Sequence, residues 1–409
     1  MTAAVATAEE HAEAGVLATL RATSAPVRAL LVGVLVNRLG TFFQAYLVLF
    51  LTTRGFSSAQ AGWALGGYGA GTIGGLLAGG ALADRLGPRR TTLLSMAGSA
   101  VLLPAVLYLH RYAAILVVVA LVGLSTQLFR PAASAMLASH TARHRRVMIF
   151  AVYRLVQNIG ASTAPLLGAL LVAVSYTLLY WVEAGSTAVF ALVAVFLFPR
   201  GRDGAKSGAP VRGGYGAMLG DRRYVLFLGA MFLNIFVYVQ YIAVLPLAMR
   251  AEGLATGWYA AMLALNGLMV VAFELLVTKV TQRRAPRYVA AAGFLLLGVG
   301  QGLYGFGWGV VAFVAGTVLW SLAELVGGPT MFAYPALAAP EELLGRYQGA
   351  AQAMFGLGTV LGPICGVALW LALGPPVWWL FGAASLLGLV VAWTAMRDTQ
   401  PAAKESANA

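Results

Sequence analysis

The stretch Gly80–Arg90 reads GALADRLGPRR and separates two long apolar segments with the first dense group of charges in the chain. A glycine and a proline inside it prevent a helix from continuing, because proline lacks an amide donor and glycine relaxes the backbone. A short, basic, sharply turned loop between apolar segments is typical of a cytoplasmic hairpin in a membrane protein. The residues that give the loop this character are Gly80, Asp84, Arg85, Gly87, Pro88, Arg89 and Arg90.

The composition of the whole chain indicates an integral membrane protein. Apolar residues make up 60% of 409 and charged residues only 10%, whereas soluble domains have about 45–50% and about 25%. A net charge of +13 would suggest nucleic acid as the partner of a soluble protein. Here we expect a lipid bilayer and no nucleic acid, because the excess charge lies in the loops. The single cysteine, Cys365, excludes an intramolecular disulfide.

Twelve apolar runs are each long enough to cross a bilayer, which takes about 20 residues. We number them segments 1 to 12, and they lie at 27–51, 59–83, 91–109, 113–138, 148–173, 176–198, 223–248, 257–279, 288–308, 310–337, 347–373 and 376–396. The polar, glycine-rich stretch between segments 6 and 7 has the composition of a linker. We therefore predict a cytoplasmic N-terminal tail (1–26), a six-helix bundle (27–198), a cytoplasmic linker (199–222), a second six-helix bundle (223–396) and a cytoplasmic tail (397–409).

Lysine and arginine are distributed very unequally between the two sides of the membrane. Of the 27 in the chain, 21 lie on the side of the N-terminus and three in the opposite loops. Since positive charge concentrates in cytoplasmic loops, this asymmetry predicts a multi-pass protein of the plasma membrane with both termini in the cytoplasm.

The two halves of the sequence align as repeats at one ungapped offset of 198 residues. At this offset Pro88-Arg89 falls on Pro286-Arg287, and Arg130-Pro131 falls on Gly328-Pro329. The glycines and proline of segment 5 also fall on those of segment 11: Gly160, Pro165 and Gly168 on Gly358, Pro363 and Gly366, with Ala164 opposite Gly362. Three landmarks at one offset predict two parallel six-helix repeats.

These motifs resemble those of the major facilitator superfamily of transporters. The spacing G-x3-D-R-x-G-x-R-R resembles its signature loop between helices 2 and 3, with Pro88 in place of a residue that is often basic. The resemblance implies that this is a gating loop. The GxxxGPxxG form on segment 11, with its near-copy on segment 5, resembles the helix-5 motif of the proton-coupled drug antiporters. The resemblance covers nearly the whole chain. It implies an all-α integral membrane fold of twelve transmembrane helices, arranged as two six-helix repeats around a central cavity; we expect a monomer.

Segment 2 carries glycines at every fourth position, namely Gly67, Gly71, Gly75 and Gly79. Small residues at this spacing allow helix backbones to approach closely in lipid. The stripe could serve static packing, or it could form a smooth face on which the two halves slide. In the superfamily, helices 2 and 11 face each other across the halves, so the resemblance favours the sliding face.

Six ionisable side chains lie inside the predicted spans: Arg38, Arg130, Arg154, Glu183, Glu274 and Glu324. Each costs about 2.5–3.5 kcal/mol at mid-bilayer, so six unpaired groups would cost roughly 15–20 kcal/mol, more than a typical folding stability of about 5–15 kcal/mol. They must pair, face a watery cavity or become neutral. We interpret Glu183 as an interfacial anchor beside Tyr180 and Trp181, and Arg154 as a hydrogen-bonding centre near Gln157 and Asn158.

The resemblance implies positions for the other charges, because helices 1, 4, 7 and 10 line the central cavity of the superfamily. Arg38, Arg130 and Glu324 are then expected to face the substrate path, with Glu274 reaching it from the side. We expect Glu324 to be the main proton-coupling group and Glu274 the second candidate, a fixed ion pair being the alternative. Aromatic and amide side chains on segments 1 and 7 complete the predicted substrate pocket: Phe42, Asn234, Tyr238 and Tyr241.

Together these features predict a secondary transporter and no enzyme. The chain has no phosphate-binding loop for ATP, and its four histidines form no metal-ligand pair on one helix face, so we expect no metal and no cofactor other than a proton gradient. The favoured hypothesis is proton-coupled export of amphipathic small molecules, as in multidrug efflux and antibiotic resistance. Arg38 stands where many multidrug antiporters carry an acidic residue, which fits an anionic or zwitterionic substrate, or a pair of Arg38 with a glutamate. Proton-coupled uptake of a small peptide or carboxylate is therefore the alternative, and a non-transporting protein on the same fold is a third.

Overall fold

A computed structural model of the protein describes residues 19, 21, 23–199 and 214–396. Most of the predicted N-terminal tail, most of the predicted linker and all of the predicted C-terminal tail lie outside the described residues, so those boundaries remain predictions. The side chain of Pro165 also lies outside them. Within the described ranges every regular element is a helix.

The first half contains segments 1 to 6. Segments 1 and 4 are each built from two consecutive helices, and the others from one. The helices are Ala25–Leu39 and Phe43–Thr53 (segment 1), Ser58–Leu86 (segment 2), Pro88–Ala105 (segment 3), Tyr112–Gln127 and Phe129–Ser139 (segment 4), Arg146–Val174 (segment 5) and Tyr176–Leu197 (segment 6), with 3-10 turns at Val106–Tyr108 and Arg143–Arg145.

The second half repeats this plan after a short helix, Gly214–Gly220. Segment 7 is built from three helices in succession, and the others from one. The helices are Arg222–Tyr238, Gln240–Ala243 and Leu245–Ala251 (segment 7), Thr256–Thr281 (segment 8), Pro286–Leu303 (segment 9), Val310–Ala338 (segment 10), Leu344–Leu373 (segment 11) and Val377–Ala395 (segment 12), with 3-10 turns at Tyr304–Phe306 and Glu341–Leu343.

The helices have the dimensions of membrane spans. Ten in the described part of the chain are long and apolar enough to cross a bilayer by length and composition. Segments 2 and 5 complete the set of twelve: each has 29 residues, which at 1.5 Å per residue is about 43 Å, and the hydrocarbon core is about 30 Å thick. The protein is an all-α integral membrane protein of two six-helix repeats.

Segments 1 and 7 are both interrupted at mid-length, and at equivalent positions. The first helix of segment 1 ends at Leu39 and the second begins at Phe43, while segment 7 breaks between Tyr238 and Gln240. The offset of 198 residues places Gly40–Phe42 on Tyr238–Gln240. A helix break frees backbone groups that lipid cannot satisfy, so each break needs a polar side chain beside it.

Glu183 of segment 6 supplies that side chain for segment 1. Its Oε2 accepts hydrogen bonds from the backbone N–H of Phe42 at 2.8 Å and of Phe43 at 2.6 Å. Glu183 is only 3% exposed. The interpretation of this residue as an interfacial anchor is therefore wrong, because its carboxylate caps a buried helix start instead of reaching the headgroups.

The glycine stripe of segment 2 packs against segment 4 of the same half. A Cβ atom added at three of its glycines would overlap backbone carbonyl oxygens of segment 4: at Gly71 that of Ala120, at Gly75 that of Leu124, and at Gly79 that of Leu128. The stripe therefore serves static packing, and its interpretation as a sliding face between the halves is wrong. Glycine spacing shows that a backbone approaches closely, but not which one.

The contact between the halves lies beside this stripe. A Cβ atom at Gly80 would come within 2.5 Å of the carbonyl oxygen of Gly345, and one at Gly349 within 2.7 Å of that of Leu76. Segments 2 and 11 thus meet across the halves, as the resemblance implied, through residues one helical position from the predicted stripe.

The motifs of segments 5 and 11 pack against the interrupted segment of their own half. Gly160 and Gly168 of segment 5 lie against Arg38, Phe42 and Tyr46 of segment 1. In segment 11, which contains Pro363, the three glycines Gly358, Gly362 and Gly366 lie against Ile235, Val239 and Gln240 of segment 7. The pairing of segment 5 with segment 1 is therefore repeated as segment 11 with segment 7.

We call the end of the bundle that carries the loops 85–90, 143–146 and 282–287 the basic end. At this end an apolar cluster of the first half extends to Ala333 and Ala336 of segment 10, in the second half. At the opposite end the apolar side chains form two separate clusters, one in each half. The halves are therefore packed together more closely at the basic end.

Candidate functional site

One buried arginine joins the two halves at mid-membrane. Arg154 of segment 5 donates from Nε to Oε1 of Glu274 at 2.7 Å and from Nη2 to Oε1 of Glu324 at 3.1 Å. Glu274 lies on segment 8 and Glu324 on segment 10, so a single guanidinium of the first half bridges two carboxylates of the second. Arg154 is the hydrogen-bonding centre that we predicted, but the partners that the structure shows are these two glutamates of the second half, not its neighbours on segment 5.

The two glutamates differ in how completely their oxygens are satisfied. Oε2 of Glu324 accepts hydrogen bonds from the Tyr238 hydroxyl at 2.9 Å and from Asn266 Nδ2 at 3.1 Å. Glu274 is fully buried, and its Oε2 has no hydrogen-bond partner within the part of the chain that the structure describes. A proton on that oxygen would displace no existing hydrogen bond.

A cavity of about 240 Å³ lies between the halves next to this arginine. Five of the predicted site residues line it: Arg130, Asn234, Tyr238, Tyr241 and Glu324. Arg154, Gln157 and Asn158 form part of its polar wall, and Met231, Phe332 and Phe355 part of its apolar wall. The predicted pocket is thus placed around one space that both halves share.

Three other predicted residues are close to the cavity but do not line it. Phe42 is 2% exposed and packs beside Gly168. Glu274 lies behind Arg154, and Arg38 reaches the cavity wall only through Gln157. In this conformation Phe42 packs on segment 5 and Glu274 is held by Arg154, whereas Arg38 is partly exposed. That these residues face the substrate path remains a prediction.

Arg38 and Arg130 share one amide oxygen instead of pairing with acids. Oε1 of Gln157 accepts from Nη2 of Arg38 at 3.0 Å and from Nη2 of Arg130 at 3.3 Å. Across the described residues, neither arginine has a carboxylate oxygen within 4.0 Å, and the Nε atom of each is buried without a hydrogen-bond partner. The alternative that Arg38 pairs with a glutamate is therefore wrong for this conformation.

An aromatic cluster forms the wall of the cavity on the side of the second half. Tyr241 stacks on Trp320 with ring centroids 5.0 Å apart, and Tyr238 meets Trp320 edge-on at 5.5 Å. The guanidinium of Arg154 lies 5.2 Å from the ring centre of Phe332. Trp320 precedes Glu324 by four residues, which puts both on one helix face. That spacing could have drawn attention to Trp320, which our sequence analysis missed together with Asn266 and Phe332.

Asp84 of the predicted gating loop holds the start of segment 11 at the basic end. Its Oδ1 accepts from the backbone N–H of Gly345 at 2.6 Å, and its Oδ2 accepts from the backbone N–H and from Nη1 of Arg346, both at 3.1 Å. These N–H groups are the free donors of a helix N-terminus, where a carboxylate is stabilising. Asp84 of one half therefore caps a helix of the other.

The other residues of the gating loop shape and anchor the turn that follows Asp84. Gly87 has φ +84°, which a residue with a Cβ atom adopts only under strain. Arg89 donates to the carbonyl oxygens of Ala194 and Val195 in segment 6, and Arg85 and Arg90 are exposed. The turn is thus shaped by glycine, while Arg89 ties it to its own half.

Three further contacts tie the basic end together. Arg146 donates to the carbonyl oxygen of Ala336 at 2.8 Å, and Gln352 donates to Ser134 Oγ at 3.1 Å. The hydroxyl of Tyr215, in the short helix before segment 7, donates to the carbonyl oxygen of Leu77. Burial, with the nearby Asp84 charge, raises the pKa of Tyr215 to about 12, so this hydroxyl remains a donor at neutral pH.

Comparison with known proteins gives one family. The family model of the Major Facilitator Superfamily matches residues 30–286 and 251–409. An uncharacterised MFS-type transporter of Bacillus subtilis is 25% identical over 349 residues, which cover 82% of this chain and 84% of that protein. A Na⁺, Li⁺, K⁺/H⁺ antiporter of Planococcus maritimus is 27% identical over 356 residues, covering 78% and 83%. The solved structure of the Escherichia coli fucose:proton symporter has a TM-score of 0.72 at 16% identity, covering 91% and 98%, a likeness of fold.

Proposed function

Because the chain belongs to the major facilitator superfamily, we propose that this secondary active transporter couples protons to the export of amphipathic small molecules. The observation that carries the proposal is the bridge from Arg154 to Glu274 and Glu324, since it links ionisable groups to the contact between the halves. The cavity next to it has the polar and aromatic lining that small amphipathic ligands need.

The bridge offers a physical route from proton binding to movement. Glu324 lines the cavity, so a proton can reach it from water there. Once neutral, Glu324 no longer attracts Arg154, and one of the two charge contacts that Arg154 makes with the second half is lost. A proton shifts a conformational equilibrium only if it binds the two conformations with different affinity. Glu324 would bind a proton less readily in the conformation where it contacts Arg154 than in one where that contact is broken.

We infer that the basic end faces the cytoplasm and that the described conformation is closed on that side. The positive-inside asymmetry of the loops supports the orientation. The Asp84 cap, the Arg146 contact and the shared apolar cluster all hold the halves together at the basic end.

A single cysteine in place of Arg111, in a Cys365→Ala protein, should react with a membrane-impermeant maleimide added outside cells, and one in place of His144 should not. The reverse pattern would contradict the orientation.

The coupling is tested by proton movement in proteoliposomes. Amphipathic compounds are added one at a time to vesicles with an internal pH dye, and wild type is compared with Glu324→Gln and with Glu342→Gln, an exposed acidic residue at the basic end. We expect a substrate to drive protons in the direction opposite to its own movement in wild type and in Glu342→Gln, but not in Glu324→Gln. Normal coupling in Glu324→Gln would refute its role and make Glu274 the next candidate.

The same vesicles separate the alternatives. Proton movement in the same direction as the substrate would show uptake by symport instead of export. Exchange of protons for Na⁺, Li⁺ or K⁺ is a second candidate function, favoured by the Planococcus maritimus relative and by the oxygen atoms of Glu324, Ser321 and Tyr238 close to Asn266. The arginines in the cavity wall oppose a bare cation, so we expect none of the three salts to collapse an imposed pH gradient.

A further inference from the structure

Arg38 and Arg130 are the two charges in the described spans that the protein leaves without an opposite charge. Arg154 is paired with both glutamates of the second half. The carboxylate of Glu183 accepts from the N–H groups at the break of segment 1. Among the described residues, Arg38 and Arg130 donate to amide oxygens of glutamine. Both side chains are partly buried, and a partly desolvated positive group is stabilised most by a negative partner.

The geometry around Gln157 shows where the missing negative group would lie. Oε1 of Gln157 accepts from both guanidiniums at 3.0 and 3.3 Å, and Gln157 itself lines the cavity. An amide oxygen carries only a partial negative charge. A carboxylate in its place would make charge-assisted hydrogen bonds, which are shorter and about twice as strong, and it would also use the unpartnered Nε donors.

The charge count of the connected network indicates how much negative charge is missing. The cavity wall and the groups hydrogen-bonded to it contain three arginines (Arg38, Arg130 and Arg154) and two carboxylates (Glu274 and Glu324). One positive charge is left over. A monocarboxylate balances it, whereas a phosphate monoester, at about −1.5 to −2, would overcompensate.

The rest of the cavity suits an apolar body attached to that carboxylate. Tyr238, Tyr241, Phe332 and Phe355 contribute aromatic surface from the second half to the cavity wall. The volume of about 240 Å³ is slightly below the usual range of ligand pockets, about 300–1,000 Å³. Both features favour a small aromatic or aliphatic acid over a large drug-like cation.

We propose that Arg38 and Arg130 together bind the carboxylate of the transported molecule, so that the substrate is a small amphipathic monocarboxylate. This inference rests on the proposed function, because it names the substrate class of the same cavity. Gln157 occupies the position between the two guanidiniums when no anion is bound, and its side chain yields that position to the carboxylate.

Binding to purified full-length protein in lipid nanodiscs tests the proposal without requiring transport. The probes are benzoate and 1-naphthoate, their neutral amides, benzylamine as a cation and phenyl phosphate as a dianion, and apparent Kd values come from ligand-dependent shifts of the thermal unfolding midpoint. Arg38→Gln and Arg130→Gln are compared with wild type, with Arg130→Lys, and with Arg111→Gln, which removes an exposed charge far from the cavity.

We expect wild type and Arg111→Gln to bind the two carboxylates at least tenfold more tightly than the amides, benzylamine or phenyl phosphate. Each Arg→Gln variant should lose at least tenfold in carboxylate affinity, and Arg130→Lys should retain part of it. Absence of carboxylate binding by wild type, equal binding of the amides, tighter binding of phenyl phosphate or benzylamine, or unchanged affinity in both Arg→Gln variants would each overturn the proposal.

The outcomes for this inference and for the proposed function are separable. Arginine-dependent carboxylate binding without proton movement in vesicles would support the anion site and refute proton coupling. Proton-coupled transport of an amine, with unchanged carboxylate affinity in Arg38→Gln and Arg130→Gln, would support proton coupling and refute the anion site. Any variant that is not monodisperse by size-exclusion chromatography is replaced by its lysine counterpart, which keeps the volume and charge of the site but not the guanidinium fork.

Discussion

At the scale of the residue, the protein solves the problem of intramembrane charge in three different ways. Arg154 pairs with two carboxylates, and Glu183 accepts backbone hydrogen bonds at a helix break. In the described part of the chain, Arg38 and Arg130 donate to the amide oxygens of glutamines and have no carboxylate partner. On the insertion scale of about 2.5–3.5 kcal/mol per charge, these two retain a cost of roughly 5–7 kcal/mol. Hydrogen bonding to the glutamines offsets part of it, and a bound anion would offset more.

A double-mutant cycle measures the bridge between the halves. Arg154→Gln leaves the fully buried Glu274 without its ion-pair partner, and breaking a buried pair from one side costs about 3–5 kcal/mol. We expect a large fall in the thermal unfolding midpoint of Arg154→Gln in detergent. The double variant Arg154→Gln/Glu274→Gln should recover a clear part of that loss, because the fully buried Glu274 charge is then gone and the remaining carboxylate, Glu324, lines the cavity.

Arg111→Gln is the matched control for the cycle, since it removes an arginine that is exposed; its midpoint should stay close to that of wild type. If the double variant were no more stable than Arg154→Gln, the charge interaction between Arg154 and Glu274 would not be the source of the stabilisation.

At the scale of the element, close helix contacts are specified by individual glycines. Gly71, Gly75 and Gly79 bring the backbone of segment 2 against that of segment 4. Other glycines of the same helix, such as Gly69, have open space where a side chain would lie. Two glycines of the same helix therefore differ in structural importance: one allows a close backbone contact and the other faces open space.

Alanine substitution of these two glycines should separate their roles. In Gly75→Ala the new methyl group would overlap the backbone of Leu124, and a carbonyl oxygen cannot move aside without shifting segment 4. We expect Gly75→Ala to lower the unfolding midpoint strongly or to reduce the yield of folded protein. Gly69→Ala should be neutral or slightly stabilising, by up to about 0.5–1 kcal/mol, because alanine is the better helix former. If Gly75→Ala and Gly69→Ala changed the unfolding midpoint equally, segments 2 and 4 would be packed less closely at Gly75 than the structure shows.

At the scale of the whole molecule, the two halves are held together by a few polar contacts whose groups can change partners. Arg154 joins them at mid-membrane, and Asp84 caps segment 11 at the basic end. The apolar clusters at the opposite end remain separate, one in each half. To change between two conformations, a transporter needs contacts between its halves that stabilise one conformation and that are few enough to break when the other forms.

Asp84→Asn should loosen the basic end while it preserves the shape of the side chain. An amide has one acceptor oxygen and no charge, so it cannot accept from both Gly345 and Arg346 as the carboxylate does. We expect faster hydrogen–deuterium exchange at the start of segment 11 and in the loop 80–90. Glu342→Gln, an exposed substitution at the same end, should leave the exchange unchanged. Unchanged exchange in Asp84→Asn would mean that the cap does not hold the halves together.

The sequence by itself determined the membrane class, the twelve segments, the two repeats and the residue types that surround the cavity. Composition, segment length and the offset of 198 residues depend only on the order of residues along the chain, and the structure confirms the fold that they predict. Arg130, Asn234, Tyr238, Tyr241 and Glu324 line one cavity, but that this cavity is the substrate path, as the family resemblance implied, remains a prediction.

Only the tertiary structure decided which groups face each other. In the structure Arg154 pairs with Glu274 and Glu324, and the glycine stripe packs against segment 4. Glu183 lies at the break of segment 1. Each of these is a distance between residues remote in sequence. A helical pattern specifies the face on which a side chain lies, but the neighbour of that face is set by how all twelve segments pack together.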